Sequence, residues 1–338
     1  MKKIVLLMIT AGILMMAGCG KPAVSTNDMA DKTQETVSEE GSEQANETGD
    51  EVEEDKDVRK DAGTERPAQE ETQPQPEPEP KTEPKPEPEP KQKSEPASNK
   101  GIKLNFAELN KLSNVKYSWY FKMNSEHKTP EIPSTARKLI DKYGGIFTGD
   151  TSKKVIYLTF DEGYENGYTP KILDTLKEND VKAAFFITGP YLTKNADLVK
   201  RMLEEGHVVG SHTVNHPSLP DVDNETLEKE LYGFEEQFRE SFGIGFKYMR
   251  PPMGEYSERV LAAASQLGYK TVFWSFAYRD WEVDKQKGPE YAYNMVMGNI
   301  HNGAVLLLHA VSKDNAEALD RIIKDVKSQG YEIMPLDL

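Results

Sequence analysis

The chain has 338 residues and a formal net charge of −15. Its 15 Tyr, 12 Phe and 3 Trp all lie beyond position 105, so residues 20–100 lack the apolar surface needed to offset chain entropy. That disfavours two or three domains and leaves one of about 235 residues, near the size of an α/β barrel. Residues 20–100 hold 23 acidic and 11 basic side chains, and residues 101–338 carry a net of −5. The acidity is mainly a tail property. No basic block offsets it, which argues against nucleic acid as a partner.

Lys2 and Lys3 precede an apolar run from Ile4 to Met16, too short for a confident membrane span and patterned as a secretory signal. The run ends Leu14-Met15-Met16-Ala17-Gly18-Cys19, which resembles a bacterial lipobox. It implies lipidation at Cys19 and anchoring to the outer face of the cytoplasmic membrane; the alternative is an ordinary signal peptide with an incidental cysteine. Cys19 is the only cysteine, so no intrachain disulfide can form. Residues 20–100 read as a disordered acidic linker. Within it, residues 74–90 alternate proline with Glu, Gln, Lys and Thr. Alternating proline favours an extended spacer, spanning roughly 50 Å at ~3.1 Å per residue. Residues 101–150 read as an N-terminal extension packing on a domain of residues 151–338.

From Val155 onward, short apolar runs alternate with amphipathic stretches. Strands are expected over 155–160, 183–188, 207–211, 246–250, 271–275, 304–308 and 331–334. Helices are expected over 170–178, 196–205, 225–242, 258–267, 290–301 and 315–329, with Gly206, Gly268 and Gly330 as C-terminal stops. The alternation predicts an α/β fold with a largely parallel sheet, as a distorted (β/α) barrel or an open sheet. Polar residues gather at the predicted C-terminal strand ends, where such folds build active sites. They are Asp161 and Glu162, His212 and His216, Arg250, Asp280 with Trp281, and His309.

Each motif has two readings. Thr159-Phe160-Asp161-Glu162-Gly163 is a carboxylate pair or an exposed acidic turn. Ser211-His212-Thr213-Val214-Asn215-His216 spaces two histidines by four. On a helical turn this puts both rings on one face, able to share a metal, with Glu162 as a third ligand and an open position for water; otherwise they are chance surface histidines. Arg250-Pro251-Pro252-Met253-Gly254 is a rigid arginine turn or a structural salt bridge. Asp280-Trp281 is a carboxylate beside an apolar plate or a helix cap. His309 after Leu306-Leu307-Leu308 is a site group or a satisfied core histidine. His127, His207 and His301 are assigned no chemistry.

Together these motifs resemble the polysaccharide deacetylase family, the NodB-homology enzymes of carbohydrate esterase family 4, over about residues 150–336. The closer resemblance is to the delta-lactam-biosynthetic branch, the muramic-acid de-N-acetylases of spore cortex. It rests on residues 157–168 (YLTFDEGYENGY), 274–281 (WSFAYRDW) and 308–319 (LHAVSKDNAEAL), and on Trp119-Tyr120-Phe121 through Glu126-His127-Lys128. The resemblance implies hydrolysis of the N-acetyl group of N-acetylmuramic acid in peptidoglycan. A divalent metal would sit on His212 and His216, zinc first, with manganese, cobalt or magnesium as alternatives. Asp161 would be general base, His309 general acid, Arg250 the orienter of Asp161 and Asp280 that of His309. Trp281, Met253 and Tyr164 would meet the glycan, and a backbone N–H near Met253 would serve the oxyanion. The family has Asp-Asp where this chain has Asp161-Glu162, and often tyrosine where Met253 stands. The alternatives are a deacetylase of N-acetylglucosamine in peptidoglycan or a chitin-like polymer, and a catalytically impaired glycan binder. No partner lipoprotein is specified.

Overall fold

The computed structural model describes residues 103–338. The expected signal segment, the lipidation site at Cys19 and the acidic tether lie outside the described residues.

Among the described residues there are nine strands: β1 (Tyr117–Ser118), β2 (Val155–Glu162), β3 (Ala184–Ile187), β4 (Val208–Ser211), β5 (Tyr248–Met249), β6 (Glu255–Tyr256), β7 (Lys270–Thr271), β8 (Ala304–His309) and β9 (Glu332–Ile333). Seven form one sheet in the order β7-β5-β4-β3-β2-β8, with β9 added to β2. Every pairing in it is parallel. Beyond β7 the chain runs to Phe276, which pairs with Leu306 on the opposite edge. Ser275 N–H donates to the Val305 carbonyl (3.0 Å) and Leu307 N–H to that of Phe276 (2.9 Å). The sheet is thus curled into a half-barrel whose two edges meet through this short seam.

The seven expected strands all form, though β5 and β7 are shorter than their apolar runs. Side chains alternate between faces along a strand. On β2, Ile156, Leu158 and Phe160 pack into the layer of helices, against Ile172, Leu173 and Leu176. Val155 and Tyr157 face the barrel interior with Phe186, Tyr248 and Val305. This parity decides which polar residues reach the site.

Five expected helices form close to their expected spans: Thr169–Glu178, Ala196–Glu204, Glu258–Gln266, Pro289–Met297 and Lys313–Ser328. The stretch 225–242, expected as one helix, is split. Asn224–Glu228 and Phe234–Phe242 are joined by a wider π-type turn over Lys229–Gly233. Three α-helices among the described residues were not expected, Phe106–Leu109, Ser134–Tyr143 and Gly189–Lys194. In the N-terminal extension, β1 pairs antiparallel with β6, and Trp119, Ala136, Ile140 and Phe147 cluster with Tyr256, Leu261 and Phe273.

Candidate active site

The interior-facing parity of β2 carries Tyr157, Thr159 and Asp161 in succession. On β8 the same parity gives Val305, Leu307 and His309, and Asp161 and His309 are register partners on these adjacent strands. Tyr248 on β5 faces inward, so Arg250, two residues on, does as well. Sheet alternation therefore delivers Asp161, Arg250 and His309 to one end of one cavity.

Arg250 is fully buried. Its Nη1 donates to Asp161 Oδ1 (2.7 Å), its Nη2 to Thr159 Oγ1 (2.8 Å) and its Nε to the Val272 carbonyl (3.1 Å). Its guanidinium lies over the Phe186 ring, 4.2 Å from the centroid. Burial pushes the Asp161 carboxyl up, but the charge of Arg250, with the neighbouring imidazoles of His212 and His309, outweighs it and holds the pKa below the ordinary aspartate value. Asp161 is thus an ionised carboxylate with one oxygen clamped and the other, Oδ2, 3.5 Å from His212 Nε2.

His212 and His216 do not sit on a helical turn, as their spacing suggested. They lie on a loop bent by left-handed backbone at Thr213 (φ 67°) and His216 (φ 58°). The loop still brings the rings to 4.7 Å between centroids. Glu230, in the π-type turn, holds it: one carboxylate oxygen accepts from Asn215 N–H and the other from Asn215 Nδ2, both at 2.8 Å. His212 Nδ1 lies 2.9 Å from the Arg250 carbonyl, which can only accept, so Nδ1 carries the proton and Nε2 keeps its lone pair. Burial lowers His212 to about 4 and also lowers His216. Two neutral imidazoles, one tethered through its far nitrogen, fit a divalent cation. Among the described residues no group of three or more His, Cys, Asp or Glu side chains is arranged to hold a metal ion.

Glu162 is not brought to the histidines. Its parity on β2 sends it into the helix layer, where it is fully buried and receives Thr169 Oγ1 at 3.3 and 3.4 Å. Burial, with the neighbouring Glu165 charge, raises its pKa well above the ordinary glutamate value. This corrects the expectation of Glu162 as a third ligand: adjacent strand residues cannot face the same cavity.

His309 Nδ1 lies 2.7 Å from Asp280 Oδ1, so it donates there and leaves Nε2 free. Asp280 Oδ2 accepts from the His309 backbone N–H (2.8 Å) and from Asn315 Nδ2 (2.6 Å). Burial pulls the His309 pKa down, but the Asp280 charge and hydrogen bond win and raise it above the ordinary histidine value. The Trp281 ring lies 5.4 Å from that of His309. Thr159, Glu230 and Asn315 hold these groups through hydrogen bonds and are not among the residues that the motifs single out. Thr159 had a signal, standing two places before Asp161 on the same strand face.

These groups line an elongated cleft of two lobes that share Asp161, His212, His216, Trp281 and His309. One lobe, about 350 Å³, adds Pro251, Met253, Trp274 and Leu307. The other, about 250 Å³, adds Gly163, Tyr164 and Val311. Tyr164, Met253 and Trp281 are all exposed at its rim. Every expected site residue beyond the signal region except Glu162 is thus in the cleft or bonded directly behind a group that lines it.

Residues 148–272 match the family described as Polysaccharide deacetylase. An uncharacterised protein of Geobacillus stearothermophilus is 50% identical over 227 residues, 67% of this chain and 86% of that one. The peptidoglycan-N-acetylmuramic acid deacetylase PdaA of Bacillus subtilis is 44% identical over 232 residues, 68% of this chain and 88% of its own. The solved structure of Bacillus subtilis PdaA, a family 4 carbohydrate esterase, aligns with a TM-score of 0.65 over 67% of this chain and 97% of that chain. The chain belongs to the polysaccharide deacetylase family, the family 4 carbohydrate esterases, which hydrolyse N-acetyl amide bonds.

Proposed function

We propose that this protein removes the acetyl group from N-acetylmuramic acid in peptidoglycan, after removal of the stem peptide and as the step preceding muramic δ-lactam. The observation that carries this reading is the convergence of two clamped groups of opposite protonation, Asp161 on Arg250 and His309 on Asp280, across one cleft. The 44% identity to a muramic acid deacetylase over 88% of its length supports that sugar over glucosamine.

The chain's own residues account for the proton transfers. Asp161 Oδ2, the oxygen not held by Arg250, takes a proton from the water that attacks the acetyl carbonyl carbon. His309 Nε2 gives its proton to the amide nitrogen as the C–N bond breaks, so acetate and a free amine leave. Asp280 stabilises the charged imidazole before transfer. His212 and His216 would hold a divalent cation, zinc by preference, which when bound supplies Lewis acidity toward carbonyl and water. Trp281 and Met253 close the cleft around the sugar.

We also propose that the enzyme is held on the outer membrane face by lipid at Cys19, with residues 20–100 as its reach into the wall. The lipobox-like run supports this. Cys19→Ala should move the protein out of the membrane fraction; unchanged fractionation with no lipid mass on the wild type overturns the anchor.

Muropeptide mass spectrometry of a deletion strain tests the substrate. Loss of muramic δ-lactam is the expected result. Altered glucosamine acetylation would replace the sugar, and an unchanged wall would replace catalysis with glycan binding.

A further inference from the structure

We infer that Tyr278 is a positioning residue for the proton donor: through the Asn315 amide it fixes the Asp280 carboxylate, and with it the aim of His309 into the cleft. This inference rests on His309 as the general acid and adds two residues that line neither lobe of the cleft.

One amide is gripped from both ends by one segment of chain. Asn315 Nδ2 donates to Asp280 Oδ2 at 2.6 Å and to the His309 carbonyl at 3.3 Å. A carbonyl can only accept, so the amide nitrogen must face that way and the amide oxygen the other. On that other side Tyr278, two residues before Asp280, donates its hydroxyl to Asn315 Oδ1. Burial, with the neighbouring charges of Asp280 and Asp314, raises the Tyr278 pKa above the ordinary tyrosine value, so the hydroxyl keeps the proton it donates. The tyrosine thus selects the one amide orientation in which Asn315 donates to Asp280. A flipped amide would set its oxygen against the carboxylate.

The rest of the site leaves this degree of freedom open. The Asp280 backbone is held by Gln286, whose Nε2 donates to the Asp280 carbonyl at 2.9 Å and whose Oε1 accepts from Ser312 Oγ at 2.7 Å. The Asp280 side chain has three donors among the described residues: His309 Nδ1 on Oδ1, and His309 N–H with Asn315 Nδ2 on Oδ2. Two of the three belong to the histidine that is being aimed. Asn315 comes from a third element, the first turn of the helix Lys313–Ser328, where its N–H is capped by Ser312 Oγ at 3.2 Å and the residue is buried. It therefore ties His309 and its carboxylate to a fixed helix end. The Tyr278 ring is seated edge-on against Tyr291, 6.0 Å between centroids, which holds the hydroxyl over the amide.

Turnover of a soluble acetylated glycan by the full chain tests the link. Tyr278→Phe keeps the ring and removes only the hydroxyl. It should lower kcat about fivefold, with KM within twofold of wild type because Tyr278 does not line the cleft. A kcat within twofold of wild type overturns the assignment. A double-mutant cycle reads the route. In an Asp280→Ala background the path to His309 is already cut, so adding Tyr278→Phe should change kcat by less than twofold. The same fivefold loss repeated there would mean that Tyr278 acts on general packing and not through Asp280. The proton spectrum gives a second readout that needs no substrate. The His309 Nδ1 proton shared with Asp280 should give a downfield resonance, identified by its loss in Asp280→Ala. Tyr278→Phe should shift or broaden it, and Asn315→Ala should do so more strongly. An unmoved resonance in both variants overturns the link, and a moved one supports it even if the acetyl removed proves to be that of glucosamine.

Discussion

Asp161 and Glu162 are neighbours in the chain, yet one lies in the cleft and the other behind the sheet. Both residue types are legible in the sequence, but the expected strand ends at Phe160 and does not say which carboxylate faces inward. Alternation along β2, which runs on to Glu162, turns only Asp161 toward the histidines. The difference is measurable. Glu162 lies behind the sheet, where burial disfavours its charge and Thr169 donates to it, so Glu162→Gln should keep folding and activity close to wild type. If Asp161 is the base, Asp161→Asn should lower kcat by about 10²–10⁴, and it should also lower the melting temperature, because the fully buried Arg250 loses its counter-charge. The general acid yields a pH test. Asp280 raises the His309 pKa, so the proton-bearing form persists to higher pH than for a free histidine. Asp280→Asn removes that support, and the alkaline limb of the kcat profile should move to lower pH. An unmoved limb would assign it to another group.

Among elements, β2, β3, β4 and β8 were readable because each is an apolar run covered on both faces. The π-type turn at Lys229–Gly233 was not, since a single widened turn leaves the helical apolar pattern almost intact. Its consequence is Glu230, which turns inward to hold Asn215 between the two histidines. Glu230→Ala should lower zinc affinity about tenfold, measured by competition with a chelator, while leaving both ligands in place. The helix Ser134–Tyr143 was missed for a related reason: Pro133 precedes it without a side-chain cap, and the strand-helix alternation begins only at Val155. β4 also carries a stability signal. His207 at its start is buried and accepts from Ala183 N–H at 3.1 Å, and burial lowers its pKa to about 4. The unfolded chain binds that proton near 6.5, so the unfolded state holds more protons between the two values. Stability should fall as pH drops from about 6.5 to 4, and His207→Gln should flatten this part of the melting-temperature profile.

At the scale of the molecule, sequence spacing predicted a barrel but left an open sheet as the alternative. The deciding feature is the seam at Phe276 and Leu306, a contact between segments with no shared sequence signal. The same limit hid the packing of the extension. Its aromatic residues were visible, but not that Trp119 stacks on Phe273 and ties to Trp274. Removing residues 103–147 would uncover Tyr256, Leu261 and Phe273, all now buried. Such a shortened protein should melt at a clearly lower temperature or aggregate, and should lose activity. An equal melting temperature would show that the half-barrel folds without the extension.

The pairing of β2 with β8 also governs when the enzyme comes into being. Thr159 donates to the Leu306 carbonyl across 147 residues of chain. Contacts this distant form slowly, because a long loop must close before they are rewarded. Asp161 and His309 ride on these two strands, so the base meets its acid only when β8 docks. A chain emerging N-terminus first would carry Asp161, Arg250 and both loop histidines in place and still be inert. Activity should therefore return on refolding with the slowest structural phase, once the late strand has closed the sheet.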